Sequence, residues 1–184
     1  MEKNNRLGHV MVDLETFGNE YNAVICSIGA VEFDIETGKT GREFFKKVDI
    51  QSGLDKGLSV NGSTIEWWLM QSQSAREAVA IGDGIHLQQM LHEFKLFLEE
   101  LGCNTVQIWG NGVSFDIVIL TESYRACNLK EPWSFRNERD VRTLVSFAPE
   151  IKKNYPSTGV EHHPVDDCKF QIGYCTAIWN RLTI

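Results

Sequence analysis

The chain reads as an α/β fold with a mixed central sheet, in which an antiparallel meander comes first and flanking helices follow. Three observations predict this class. Three apolar, β-branched runs stand near the N-terminus, His9 to Glu15, Ala23 to Asp34 and Glu43 to Val48, with Gly38 and Gly41 flanking the last turn. Apolar residues then keep helical spacing from Gly84 to Leu101, at Leu87, Met90, Leu91, Phe94, Phe97, Leu98 and Leu101. A further short strand, Thr105 to Trp109, follows that helix, so strands and helices alternate as in a layered sheet with helices packed on it.

The remaining elements follow in order. Ser63-Thr-Ile-Glu66 and Ser74-Ala-Arg-Glu77 fit the capping-box pattern and predict two short helices between residues 63 and 81. The strand at 105–109 breaks at Gly110-Asn-Gly112, and a helix is expected from about Ser114 to Cys127. Residues 138–147 fit a helix or a strand. Pro149 to Gly159 is polar and reads as a loop, and Pro164 suits the first turn of a C-terminal helix reaching Leu182. With no internal repeat and no dividing linker, a single domain is expected over residues 1–184, its core at about 9–182.

A chain of 184 residues is long enough to bury roughly 70% of its unfolded surface. Charged residues at 23% beside hydrophobic residues at 42% exclude a disordered polyelectrolyte. Met1 to Gly8 lacks the apolar stretch of a signal peptide, and no window holds the ~18 apolar residues of a membrane span, so a cytoplasmic protein with no membrane partner is expected. Five cysteines without a CxxC pair argue for reduced thiols rather than a disulfide framework or zinc knuckle. A net charge of -7 argues against holding nucleic acid by bulk electrostatics. It leaves open an enzyme whose acids are clustered around cations. The basic groups Lys39, Arg42, Lys46 and Lys47, then Arg136, Arg139 and Arg142, then Lys152 and Lys153, are candidates to line a groove for a polyanion, with solvated surface as the alternative.

The chemistry starts at His9-Val-Met-Val-Asp-Leu-Glu15. Residues two apart on a strand share a face, so Asp13 and Glu15 converge at the end of an apolar run. Burying two anions together is costly unless a proton or a cation neutralises them; an acidic turn facing water is the alternative. Asp116 follows the fourth strand at a helix start, and Asp167 lies near the start of the last helix. Carboxylates gathered at one sheet edge select Mg²⁺ or Mn²⁺ over zinc. Two such ions ~3.5–4 Å apart can clamp both oxygens of a phosphoryl displacement. His162 is suited by its ordinary pKa to act as the base for water. Gly110-Asn-Gly112 lacks the lysine and hydroxyl of a P-loop, and no Gly-x-Ser-x-Gly elbow is present.

Together, Asp13-x-Glu15 followed by Thr16, Phe115-Asp116 after Asn111-Gly112, and His162 five residues before Asp167 resemble the DEDDh, DnaQ-like family of 3′–5′ exonucleases with the RNase H-like fold. The resemblance spans residues 9–170. It implies that Asp13, Glu15, Asp116 and Asp167 hold two divalent metal ions and that His162 is the general base. Asp13 would bridge the ions, with Glu15 and Asp167 on one and Asp116 on the other. Pro164 departs from the alanine often found two residues after the histidine, and His163 with Asp166 or Asp167 is the competing register. The implied reaction is hydrolysis of single-stranded DNA or RNA from its 3′ end to nucleoside 5′-monophosphates; a non-catalytic nucleic-acid-binding module is the alternative.

Thr64-Ile-Glu-Trp67-Trp68 with Gln71, and Arg139-Asp-Val-Arg-Thr143, look like the branch that includes the phage exonuclease DexA and bacterial RNase T-like enzymes, which tilts the expectation towards DNA. Relatives there are often homodimers. Neighbours on a helix point about 100° apart, so one of Trp67 and Trp68 is expected inward and the other towards a cleft where a base could stack. Thr16, Phe17, Asn111 and Phe115 join them as candidate substrate contacts. Asp140 is read as a support for the site or as a helix cap.

Overall fold

The β-branched runs form strands that pair as their alternation requires. The computed structural model describes residues 7–80, 82–156 and 162–183. Strands β1 (His9–Thr16), β2 (Ile25–Phe33), β3 (Thr40–Lys47), β4 (Gln107–Gly110) and β5 (Glu138–Asp140) make one sheet in the order β3-β2-β1-β4-β5. The first three pair antiparallel, whereas β4 runs parallel to both β1 and β5. The fold is the mixed, RNase H-like sheet expected from the sequence.

Eight α-helices are present among the described residues: α1 (Ile50–Leu54), α2 (Gly62–Leu69), α3 (Gln73–Ala80), α4 (Leu87–Leu101), α5 (Asp116–Ala126), α6 (Val141–Ser146), α7 (Pro149–Asn154) and α8 (Pro164–Thr183). Side chains at alternate positions of β1 serve two cores. Val10, Val12 and Leu14 pack with α4 and α5, whereas Met11 packs with Val31, Phe33 and the apolar face of α8. Asp13 and Glu15 continue the Met11 row, so both carboxylates lie on the side of the sheet that α8 covers. A third, small cluster of Cys26, Trp68, Ala75 and Val79 seats α2 and α3 against β2.

Several boundaries differ from the sequence reading. β3 begins at Thr40 because its first four residues are exposed and carry no apolar signal. Gly41 lies inside that strand rather than in the turn; a Cβ there would run into the Glu32 carboxylate. Gly38, with φ 71°, does make the turn. The caps of α2 and α3 are Asn61 and Ser72, two residues before the serines read as caps: Asn61 Oδ1 accepts from the Ser63 amide at 2.9 Å and Ser72 Oγ from the Ala75 amide at 3.2 Å.

α1, capped by Asp49, was not anticipated. The ambiguous stretch 138–147 is both things in turn, β5 and then α6. The loop read at Pro149–Gly159 holds α7, in which proline occupies the first turn, Glu150 follows it, and Lys152 and Lys153 close the last turn where the helix dipole favours cations. Residues 157–159 of that loop lie outside the described residues, as do 1–6, 81, 160–161 and 184 of the expected domain.

Candidate active site

After β1 the chain turns to β2 and β3 on one side, and only later crosses to β4 on the other. The carboxyl ends of the parallel strands β1 and β4 therefore flank a topological switch point, the usual place for a ligand crevice in such sheets. A cleft of about 310 Å³ opens there, and Asp13, Glu15, Asp116, Asp167 and His162 all line it.

Each acid arrives by a different local device. Asp13 sits opposite Gly29 in the β1–β2 register, and its Oδ1 accepts a 2.8 Å bond from Gln171 Nε2 on α8. Glu15 is two residues further along the same row and is buried. Asp116 starts α5 after the Asn111–Phe115 turn, in which Gly112 has φ 109° and its carbonyl accepts from the amides of Phe115 and Asp116. Asp116 Oδ1 then accepts from the Leu14 amide at 3.2 Å, tying α5 to β1. Gly110 allows this approach, since a Cβ there would stand 3.1 Å from that of Asp116.

Asp167 and His162 come from the start of α8 and the turn before it. That helix start docks on Gly29, where a Cβ would lie 2.5 Å from the Pro164 carbonyl carbon. Proline at position 164 therefore opens the helix and seats it against bare sheet backbone. Glu15, His162 and Asp167 each offer one ligand atom, all within 4.8 Å of one another. The His162 backbone has φ 64°, a left-handed conformation unusual for a residue with a side chain. His163 faces elsewhere: its ring stacks on Phe45 with centroids 5.0 Å apart, and its buried Nδ1 has no hydrogen-bond partner.

Burial pushes the Asp13 carboxyl well above the usual range, and the charges of Asp116, Glu15 and Asp167 add to it. Glu15 is raised to about 9 by burial and then by Asp167 and Asp116. Asp116 is raised only to about 7, because donors from the Leu14, Asn111 and Asp116 amides and the Arg142 charge counter its burial. Such a cluster holds more negative charge than the protein compensates. Buried oxygens of Gln171 and Asn111 also lack hydrogen-bond partners beside it. The four carboxylates are a hard oxygen donor set fitted to a divalent cation such as Mg²⁺ or Mn²⁺.

The candidate substrate contacts divide. Asn111 and Phe115 line the cleft. Trp68 is buried and donates from Nε1 to the Thr16 carbonyl at 2.9 Å, whereas Trp67 is 40% exposed with its ring 5.1 Å from that of His162. Thr16 and Phe17 do not line the cleft: the Thr16 hydroxyl donates to the Gly18 carbonyl at 2.6 Å, and Phe17 packs on the cluster around Trp68. Asp140 both caps α6, accepting from the Thr143 amide at 3.1 Å, and accepts from the Val113 amide at 3.1 Å in the turn before Asp116. Burial works to raise its pKa, but these bonds and the Thr143 hydroxyl outweigh it, and the net shift is downward.

Gln171, Arg142, Lys152, Phe170 and Tyr174 also line the cleft and were not singled out from the sequence as site residues. Gln171 was within reach, standing four residues after Asp167 on the same helix face. Arg142 and Lys152 belong to the basic groups that the sequence leaves open as groove lining or solvated surface, and they line the cleft. His9, at the start of β1 and away from the cleft, accepts from Trp109 Nε1 through Nδ1 at 3.0 Å.

The fold of this chain and the family it belongs to are those of a 3′–5′ exonuclease domain with the RNase H-like sheet. A family profile described as the 3′-5′ exoribonuclease Rv2179c-like domain matches residues 8–179, and the chain belongs to that family. The chain is similar to an exodeoxyribonuclease of Enterobacteria phage T4, 28% identical over 158 residues that cover 73% of this chain and 69% of the phage protein. Among solved structures it superimposes on the nuclease domain of 3′hExo, a DEDDh family member bound to rAMP, with a TM-score of 0.67 at 13% identity over 94% of this chain and 92% of that one. Cell-death related nuclease 4 gives a TM-score of 0.69 at 14% identity over 94% of this chain, which spans 64% of that nuclease. At these identities the structural likeness establishes the fold.

Proposed function

We propose that this chain hydrolyses the terminal phosphodiester of single-stranded nucleic acid from the 3′ end, releasing nucleoside 5′-monophosphates, with two divalent cations, Mg²⁺ or Mn²⁺, and His162 as general base. The observation that carries this reading is the convergence of Asp13, Glu15, Asp116 and Asp167 with His162 on one cleft at the switch point of the sheet. Asp13, Glu15, Asp116 and Asp167 would hold the cations. Bound there, the cations supply charge stabilisation to the attacking and departing oxygens.

The chain's own residues do the rest. A ring nitrogen of His162, within 4.8 Å of ligand atoms of Glu15 and Asp167, takes the proton of the attacking water. Gln171 fixes the orientation of Asp13 through its 2.8 Å bond. Trp67 offers a partly exposed ring beside His162 on which a terminal base stacks, a contact worth ~1–3 kcal/mol.

DNA is the favoured sugar on the strength of the T4 relative, which is named for deoxyribonuclease activity; the family description names ribonuclease activity, so the assay carries both. Two matched 5′-labelled strands, DNA and RNA, are incubated with Mg²⁺ and with EDTA. The expected result is a metal-dependent ladder shortening from the 3′ end, fastest on DNA. Intact strands even with excess Mn²⁺, together with binding that persists in EDTA, would turn the reading to a non-catalytic binding module. A cytoplasmic homodimer completes the proposal, and a monomer mass on sedimentation at micromolar concentration would remove the dimer.

A further inference from the structure

We propose that Arg142 and Lys152 form a phosphate-holding pair on the rim of this cleft, supplied by the chain itself, that grips the backbone of the bound strand. The inference rests on the exonuclease reading and adds the means by which an acidic protein holds a polyanion at a cluster of acids. Two divalent cations would offset the four carboxylates and leave the charge of the incoming strand unanswered. Arg142 and Lys152 are the arginine and lysine that line the cleft.

Several other surface cations are already matched by a carboxylate. Arg42, Lys46, Lys47, Lys169 and Arg181 are each engaged with a carboxylate of their own. Among the described residues, Arg142 and Lys152 are in no ion pair. Other cations outside ion pairs, such as Lys39, Lys130 and Arg136, do not line the cleft; Arg142, whose charge also reaches Asp116, and Lys152 do, and both are placed for an anion that comes from outside.

Both are also held in position. Arg142 is on α6, whose cap residue Asp140 binds the Val113 amide, so the helix and the turn before Asp116 move as one piece. Its guanidinium lies against Gly112, where a Cβ would stand 3.0 Å from Cζ; glycine at 112 makes room for it. Lys152 is on α7, with its Nζ 5.4 Å from the centroid of the Tyr174 ring. Tyr155, at the end of the same helix, packs edge-on against Phe170 and Tyr174, with centroids 5.9 and 6.3 Å apart. Arginine provides a planar fork matched to two phosphate oxygens, and lysine a mobile point charge. A grip built this way does not require basic residues lent by a second copy.

The test compares Arg142→Gln/Lys152→Gln with Lys95→Gln/Arg125→Gln, which removes the same charge from exposed pairs with Glu99 and Glu122. Anisotropy of a short labelled single strand in EDTA, titrated across a range of KCl, reads the number of phosphate contacts. Each lost contact lowers the slope of log K against log salt by about 0.7, so the first variant is expected to lose about 1.4 and the control nothing. With metal present, KM is expected to rise about tenfold or more with kcat little changed, and Mn²⁺ affinity is expected to stay at the parent value.

If the parent shortens the strand and the cleft variant keeps the parental KM and salt slope, the pair is not a phosphate grip. If the parent shortens nothing yet the cleft variant alone loses salt slope, the grip stands and the exonuclease reading falls. Should the double variant fold poorly, Lys152→Gln alone and Arg142→Lys, which keeps charge but loses the fork, read the two contributions separately.

Discussion

The two ends of the cleft hold their carboxylates differently. At one end Asp116 begins a helix, accepts a backbone donor from Leu14 and lies in the field of Arg142, so burial lifts its pKa only to about 7. At the other end Glu15 faces Asp167 with little to compensate it and is lifted to about 9. The protein therefore offsets part of the burial of the first anion and leaves the second almost uncompensated. What the contrast teaches is that a metal site can be built asymmetrically, one part preformed by backbone and one part completed only by the ion.

The largest effect is expected at the uncompensated end. His162→Ala should lower kcat by ~10²–10⁴ while keeping fold and Mn²⁺ binding, since proton transfer by a positioned side chain contributes that much. His163→Ala should stay near the parent, because His163 stacks on Phe45 outside the acid cluster. Product-formation rates at saturating substrate and Mn²⁺ decide between them, and the reverse pattern would move the base to His163.

The same asymmetry sets the pH response of the chelated protein. Glu15 has its folded pKa raised from 4.5 to about 9, and Asp116 from 3.8 to about 7, so the folded state binds more protons than the unfolded state between these values. Stability then falls as pH rises. The contribution is fully present below about pH 4, and its loss is complete only as pH passes about 9. Melting temperatures in EDTA from pH 5 to 9 should decline more steeply for the parent than for Glu15→Gln. Saturating Mg²⁺ should reverse the decline, adding ~2.7 kcal/mol at a hundredfold excess over Kd. A flat profile in EDTA would contradict the uncompensated cluster.

How far the sequence disclosed this arrangement differs between the acids and their surroundings. Asp13 and Glu15 were legible because a period of two carries both to one face, and Asp116 because a glycine-flanked turn must follow a broken strand. Lys152 was legible only as one of several basic residues that could line a groove or face water, since Pro149 reads equally as a loop marker and as a helix start, and packing on Tyr174 decides. Arg142 was hidden in the same way: residues 138–147 carry a pattern that suits strand and helix because they form both. Gly29 could not be interpreted at all without knowing that Pro164, 135 positions later in the chain, would rest on it.

Gly29→Ala tests that long-range contact and should disturb the Glu15 end alone. A methyl group 2.5 Å from the Pro164 backbone forces the start of α8 to shift, a strain of ~1–3 kcal/mol. The melting temperature should drop, and Mn²⁺ affinity should weaken because Asp167 moves with the helix. Unchanged metal affinity in a folded variant would mean that the docking of Pro164 does not position the acid.

The smallest effect belongs to the preformed end. Asp140→Ala removes the cap of α6 and the acceptor for the Val113 amide, at a cost of ~1 kcal/mol for the cap. Asp140→Asn keeps an acceptor at the cap and should recover most of that stability. If the turn is held mainly by Asp140, the alanine variant should also lower kcat several-fold by loosening Asp116. Asp116 keeps its own bond to Leu14, however, and Gly112 still closes the turn through the Phe115 and Asp116 amides. The expected outcome is therefore a stability loss with kcat reduced no more than a few-fold. A loss of kcat as large as that of His162→Ala would show that the end called preformed depends on one carboxylate outside the metal site, and the asymmetry between the two ends would disappear.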